Sequence, residues 1–355
     1  MKKTICLITG ICIFILAACM KDEPLKQAYH GYGPEVINDG WAVSSPEAEN
    51  MDVSLIEKAY RLIFQENRYL MARSLLVFRN NKLVAEAYPN DTADMHKVSN
   101  IQSMTKSVTS LLTGIALQNN HITDINEKLY NIYPEYFDDV ELKKSITIEQ
   151  ALTMRTGLYF DNSQNTKELY NSSQSVEYVL KQACVDAPGL VMNYNDGAPQ
   201  LVSKVIELKT GNSLSQYGEN HLFNPLGIKD WKWEAATDGT TFGAFSLYLK
   251  PRDLGKIGSL LLQNGQWNGK QLVDPDYLSE AINSQTENDK SEPYGYYFWI
   301  LPEWNAYYAY GHGGQFLLVV PDKELVVVYT AWPYTGSLFF DDPKELMNLI
   351  IESCR

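Results

Sequence analysis

Apolar positions along this chain repeat with two different periods. Between Val108 and Leu117, the residues Val108, Leu111, Leu112, Ile115 and Ala116 recur at the three- and four-residue spacing of one helical face. Leu55, Ile56, Ala59, Leu62 and Ile63 do the same and predict a helix over 52–69. Two short runs, 74–78 and 83–88, are strand-like instead. The Asn80-Asn81 pair between them suits the left-handed turn of a hairpin. From 119 to about 231 helical stretches alternate with loops rich in Tyr, Asn and Ser. A helix beginning near Ile146 should stop at Gly157, and another over 200–208 should end before Gly211. After Phe242 the pattern is mixed again. A helix starts at Pro251-Arg252-Asp253 and runs through Leu262. Strand-like runs follow at 294–301, 305–310, 315–320 and 325–331, and 342–354 reads as a terminal helix.

Two early strands and three or four late ones, with a helical block between, predict one antiparallel sheet covered by the first and last helices. The fold class expected is therefore α+β. Residues 51–118 and 235–355 would form the sheet domain, 119–234 an inserted helical domain, and 19–50 a tether and N-terminal arm. A site then falls naturally in the cleft between the two parts.

The first eighteen residues have another purpose. Lys2 and Lys3 precede an apolar run from Ile5 to Leu16 that is short for a membrane span, and the run ends Leu16-Ala17-Ala18-Cys19. That ending resembles a bacterial lipobox, which implies that Cys19 is lipidated and that the protein is exported and held on a bacterial membrane, on its periplasmic side or at the cell surface.

Charge and cysteines narrow the functions. The formal net charge is −13, and it becomes two units more negative once Lys2 and Lys3 are lost with the leader, which argues against nucleic acid as a partner. Cys184 and Cys354 lie far apart and have no metal-ligand neighbours at useful spacing. The five histidines are scattered, so neither a metal nor a cofactor is expected.

The candidate chemistry begins at Ser103-Met104-Thr105-Lys106, the chain's one Ser-x-x-Lys. Ser99 followed by Gln102 has the form of a capping box, which would start the helix just before Ser103. Three residues along a helix return to nearly the same face, so Ser103 and Lys106 should stand together near the helix N-terminus, where free N–H groups favour developing negative charge. A serine needs a base, and a lysine whose pKa falls by desolvation can be one. No Gly-x-Ser-x-Gly elbow is present, which argues against an α/β-hydrolase.

Two later motifs complete a trio: Asn193-Tyr194-Asn195-Asp196-Gly197, and His312-Gly313-Gly314-Gln315. Their order and spacing resemble the serine β-lactamase and penicillin-recognising family, nearest to its class C, D-Ala-D-Ala carboxypeptidase and esterase branch and to proteins similar to 6-aminohexanoate dimer hydrolase. Supporting stretches are 152–158, 223–228 and 245–254. The resemblance implies a β-lactamase/transpeptidase-like fold and a serine hydrolase working through an acyl-enzyme. It makes Ser103 the nucleophile, Lys106 its base partner and Tyr194 a proton shuttle. His312-Gly313-Gly314 takes the Lys-Thr-Gly place on the strand edging the site, with an oxyanion hole from the backbone N–H groups of Ser103 and Gln315. Glycines at 313 and 314 would let substrate approach that strand closely.

The departures from the family pattern bear on substrate. Asp196 stands where Tyr-x-Asn has asparagine, and should hold Lys106 more firmly protonated or meet a cationic substrate group. His312 and Gly313 replace a lysine and a threonine that hold a substrate carboxylate in penicillin-binding members. The expectation is therefore an esterase or amidase acting on a small ester, amide or peptide. The alternatives are a D-Ala-D-Ala carboxypeptidase or β-lactamase, or a lipid-anchored binding protein without catalysis.

Overall fold

The computed structural model describes residues 26–334 and 343–355. The leader and Cys19 lie outside the described residues. The helices of ten or more residues are α1 (Val53–Gln65), α2 (Met104–Gln118), α3 (Asn162–Asn171), α4 (Gly197–Thr210), α5 (Pro251–Leu262) and α6 (Lys344–Ser353).

The main sheet has eight strands: β1 (Ala72–Arg79), β2 (Lys82–Ala87), β3 (Thr286–Glu287), β4 (Pro293–Tyr294), β5 (Trp299–Leu301), β6 (Ala306–Gly311), β7 (Gln315–Val320) and β8 (Leu325–Ala331). Their order is β2-β1-β8-β7-β6-β5-β4-β3, and every pairing is antiparallel. The hairpin turn at Asn80 and Asn81 has φ of 52° and 58°, the left-handed conformation asparagine tolerates best after glycine. The expected strand over 294–301 is instead two short pieces. Tyr297, at φ 65°, breaks the extended backbone between them.

Both faces of the sheet are covered, which is why its central strands are largely apolar on both sides, as in Leu75–Phe78, Phe316–Val320 and Leu325–Tyr329. Leu75, Val77, Leu318, Val320, Val327 and Tyr329 face α1 and α6 in one core. Leu76, Phe78, Leu317, Val319, Val326 and Val328 face α2, α5 and the helical stretch in the other. That second core continues without interruption through Leu129, Ile148, Leu152, Leu201 and Val205. Helix α2 therefore has no solvent face over most of its length, and every residue from Met104 to Ala116 is buried. The helix expected from Ile146 is a single turn-and-a-half, Ile148–Leu152, with a Thr147/Gln150 capping box. None of the described helices is long and apolar enough to cross a membrane.

The N-terminal arm is tied down by charge. Buried Arg252, in the first turn of α5, binds Glu86 of β2 (Nε to Oε2, 2.9 Å), Asp39 of the arm (2.9 Å) and the Glu35 carbonyl (2.8 Å). Burial alone would lower its pKa, but the Glu86 carboxylate more than reverses that and raises it.

Candidate active site

Helix α2 begins differently from the capping-box expectation. Ser99 and Asn100 belong to a short strand paired with Leu249 and Tyr248, and Ser103 itself is the N-cap, with no side-chain capping bond. The backbone turns into the helix through Gln102, held at φ 52°. Two bonds fix that conformation: the Gln102 N–H donates to Asn100 Oδ1 (2.8 Å), and Thr105 Oγ1 donates to the Gln102 carbonyl (2.6 Å). Ser103 is thereby set at the positive end of a fifteen-residue helix. Its own N–H donates to no acceptor among the described residues.

Lys106 is one turn further on and 1% exposed. Its Nζ donates to Ser103 Oγ (2.9 Å), to Asp196 Oδ1 (2.7 Å) and to the Ala244 carbonyl (3.3 Å), and it lies 4.9 Å from the centre of the Tyr194 ring. The structure thus brings Ser103, Lys106, Tyr194 and Asp196 together across 94 residues of sequence. It also decides between two opposing effects on Lys106. Desolvation pushes its pKa down, while the Asp196 carboxylate and Tyr194 push it up, and the net direction is up. The balance favours the ammonium, in the direction expected of an acidic group in the Tyr-x-Asn place and opposite to that of burial alone. Asp196 is fixed in turn from α3. Thr166 Oγ1 donates to Asp196 Oδ2 (2.6 Å), and Asn162 Oδ1 accepts from the Asp196 N–H (2.9 Å).

A cavity of about 740 Å³ opens above Ser103. One wall is α3, through Ser163, Thr166, Lys167 and Tyr170. The other is Trp299 and Tyr310 from the sheet and His312 just beyond it, with Phe245 and Ser246 closing the side. Tyr194 packs against Trp299 (5.6 Å between centroids) and Tyr294 (6.0 Å).

The third motif sits differently from expectation. The strand edging the cavity is β6, which ends at Gly311. His312, Gly313 and Gly314 form the connection to β7, with Gly313 and Gly314 at φ 76° and 90°. His312 lines the cavity; Gly313, Gly314 and Gln315 do not. Gly313 and Gly314 adopt the left-handed conformation that this reversal of the chain uses. Gln315 lies opposite Gly311 in the next strand inward and is fully buried. Its amide donates to the Ala331 carbonyl (2.7 Å) of β8. The residue that must be glycine for close approach is Gly311. A Cβ there would stand 2.4 Å from the Ile101 carbonyl and 3.0 Å from Gln102 Cβ, so β6 lies directly against the segment leading into Ser103.

Sequence reasoning missed Asn162, Thr166, Lys167 and Tyr170. The signal was faint: a polar helix with no conspicuous motif, on which only the cavity-facing spacing is distinctive. Trp299 lines the cavity, whereas its neighbours Tyr294, Tyr296 and Tyr297 are buried core. Cys184 and Cys354 are both unpaired thiols.

The geometry is that of a β-lactamase-related serine hydrolase, and comparison with known proteins agrees. The family model described as Beta-lactamase matches residues 68–343, and the chain belongs to that family. Among curated proteins it is similar to the teichoic acid D-alanine hydrolase of Staphylococcus aureus, 23% identical over 285 residues that cover 72% of this chain and 69% of that protein. Among solved structures it resembles a candidate 6-aminohexanoate-dimer hydrolase from Bacillus anthracis (TM-score 0.68, 19% identity, 92% of this chain and 89% of that one). It also resembles a family VIII carboxylesterase (TM-score 0.69, 16% identity, 88% and 98%).

Proposed function

We propose that this protein hydrolyses a small ester or amide through an acyl-enzyme on Ser103. The observation that carries the reading is the chain Ser103–Lys106–Asp196, joined at 2.9 and 2.7 Å on the floor of a cavity of about 740 Å³. Ser103 Oγ attacks the substrate carbonyl carbon. Tyr194 takes the serine proton and gives its own to the leaving group as the scissile bond breaks. Water then repeats the sequence in reverse to release the acid. Lys106, held as an ammonium, donates to Ser103 Oγ and stabilises charge developing there. The tetrahedral oxyanion is held by the Ser103 N–H at the start of α2, with the end of β6 around Gly311 and His312 as the facing wall in place of Gln315.

An esterase or amidase fits better than a β-lactamase, because His312 and Gly313 bring neither a fixed cation nor a hydroxyl for a β-lactam carboxylate. The curated relative's name points to removal of D-alanine from a polymer, and ester-linked D-amino acids belong in the first substrate set. We further propose that Cys19 carries a lipid anchor, that the chain acts on the periplasmic or outer face of a membrane, and that 119–234 is an insertion into the sheet domain.

The test is intact-mass analysis of residues 21–355 after treatment with a fluorophosphonate, beside Ser103→Ala. One adduct on the wild type and none on the variant is expected, with ester turnover falling by about three orders of magnitude or more in Ser103→Ala. No adduct on folded wild type would leave a binding protein as the better reading. Efficient turnover of a penicillin or cephalosporin without ester turnover would overturn the substrate class. The anchor is checked by mass spectrometry of the N-terminal peptide from membranes, which should carry acyl chains on Cys19.

A further inference from the structure

The wall facing the sheet carries a charge that the catalytic chain does not use. Ser163, Thr166, Lys167 and Tyr170 lie three, four and seven residues apart, so α3 turns one continuous face to the cavity. Each end of that face is fixed. Thr166 is bonded to Asp196, and the Tyr170 ring stacks on Phe242 (5.1 Å, 12° between planes), which packs on Phe245 (4.6 Å).

Lys167 stands between these fixed points. Its ammonium has no carboxylate within ion-pair distance and no side-chain hydrogen bond among the described residues, although Asp and Glu outnumber Lys and Arg in the chain by 43 to 30. Among the described residues, the one acidic side chain lining the cavity is Asp196, and both of its oxygens are engaged, by Lys106 and by Thr166. The Lys106–Asp196 pair cancels, which leaves one uncompensated positive charge among the described residues lining the cavity, on α3.

We propose that Lys167 receives an anionic group of the substrate, a carboxylate or a phosphate, and so sets the substrate class as an ester or amide bearing a negative charge away from the scissile bond. This rests on the acyl-enzyme reading of Ser103. The anion contact comes from α3, across the cavity from the β6 end where His312 and Gly313 offer no fixed charge. Neighbouring acidic surface repels anions, and Lys167 is the local exception that admits one.

The experiment measures the rate of Ser103 labelling, by intact mass, with three fluorophosphonates of one linker length. Their tails are neutral, carboxylate and phosphate monoester. The proteins are wild type, Lys167→Gln, Lys167→Glu, and Lys58→Glu as a control for overall charge. Lys58 is exposed on α1, against the other face of the sheet. At low ionic strength the wild type should react about three- to tenfold faster with at least one anionic probe than with the neutral one, and the preference should shrink in high salt. Lys167→Gln should abolish the preference and Lys167→Glu invert it, while Lys58→Glu keeps it. Preference for one tail alone assigns carboxylate or phosphate. Equal rates for all three probes on wild type, or a preference that survives Lys167→Glu, overturn the proposal and leave the serine reading intact. No labelling of folded wild type by any probe overturns both.

Discussion

Lys106 shows how one residue three positions from a serine takes its character from a partner 90 residues away. Buried alone it would tend to lose its proton; beside Asp196 it keeps it. Asp196→Asn removes the counter-charge and leaves a buried ammonium unpaired. The expected cost is roughly 3 kcal/mol, read as a lowered midpoint in urea unfolding at neutral pH. The sign with pH follows from the direction of the shift. The folded pKa of Lys106 lies above its ordinary value, so the pair's contribution is complete below about pH 10.5 and is lost as pH rises through the folded value. The stability gap between wild type and Asp196→Asn should therefore be widest near neutrality and narrow in strong alkali. The variant's ester turnover should also gain an alkaline limb at lower pH than the wild type's. A constant gap and an unmoved limb would mean that Asp196 does not set the charge of Lys106. Gly311 is the second residue with a large consequence. Gly311→Ala places a methyl 2.4 Å from the Ile101 carbonyl, and β6 must move away from the segment bearing Ser103. Turnover should fall by at least tenfold with a much smaller change in melting temperature, because the displacement is local to the site.

Among the elements, α2 and the β1–β2 hairpin were legible from the chain because their signals are local: apolar spacing, and an Asn-Asn turn. The start of α2 was not. The Ser99/Gln102 pattern that resembles a capping box is overridden by pairing of Ser99 and Asn100 with the strand at Leu247–Leu249, which leaves Ser103 as the N-cap. Helix α3 was invisible as a functional element for the opposite reason, since nothing in its own sequence marks it. Its role comes from three bonds to the loop at Tyr194–Asp196, two made by Asn162 and one by Thr166. Thr166→Val keeps the shape and deletes the bond to Asp196 Oδ2. It should cost about 1 kcal/mol and slow turnover severalfold, with Thr166→Ser restoring both. Loss of stability without loss of turnover would reduce α3 to a packing element.

For the whole molecule, the two apolar cores on either face of one sheet explain why residues scattered from Ser103 to His312 share a cavity: the sheet is rigid and the helical stretch is continuous with its larger core. The arm at 26–50 is held to this body by the Arg252 cluster. Arg252 and Glu86 are both nearly inaccessible, so Glu86→Gln strands a buried guanidinium with Asp39 as its remaining carboxylate. A loss of roughly 3 kcal/mol is expected, together with new early proteolytic cuts before Val53, mapped by mass spectrometry. Unchanged cleavage in the arm would show that its backbone bonds to β2, such as Ser44 N–H to the Leu83 carbonyl, and its apolar contacts hold it without the Arg252 cluster.

The sequence by itself determined the α+β class, the order of the three motifs, the lipobox-like leader and the replacement of asparagine by Asp196, because each depends on neighbouring residues or on a fixed order along the chain. Only the tertiary structure decided that Asp196 stands 2.7 Å from the Lys106 ammonium, that the chain reverses at His312–Gly314 so that Gln315 is buried in the next strand, and that α3 walls the cavity with Lys167 unpaired among the described residues. Those outcomes depend on distances of a few ångströms between residues that only the fold brings together. Hydrogen bonds are lost with displacements of under an ångström, and the balance of Coulomb attraction against desolvation can reverse, so no local pattern records them.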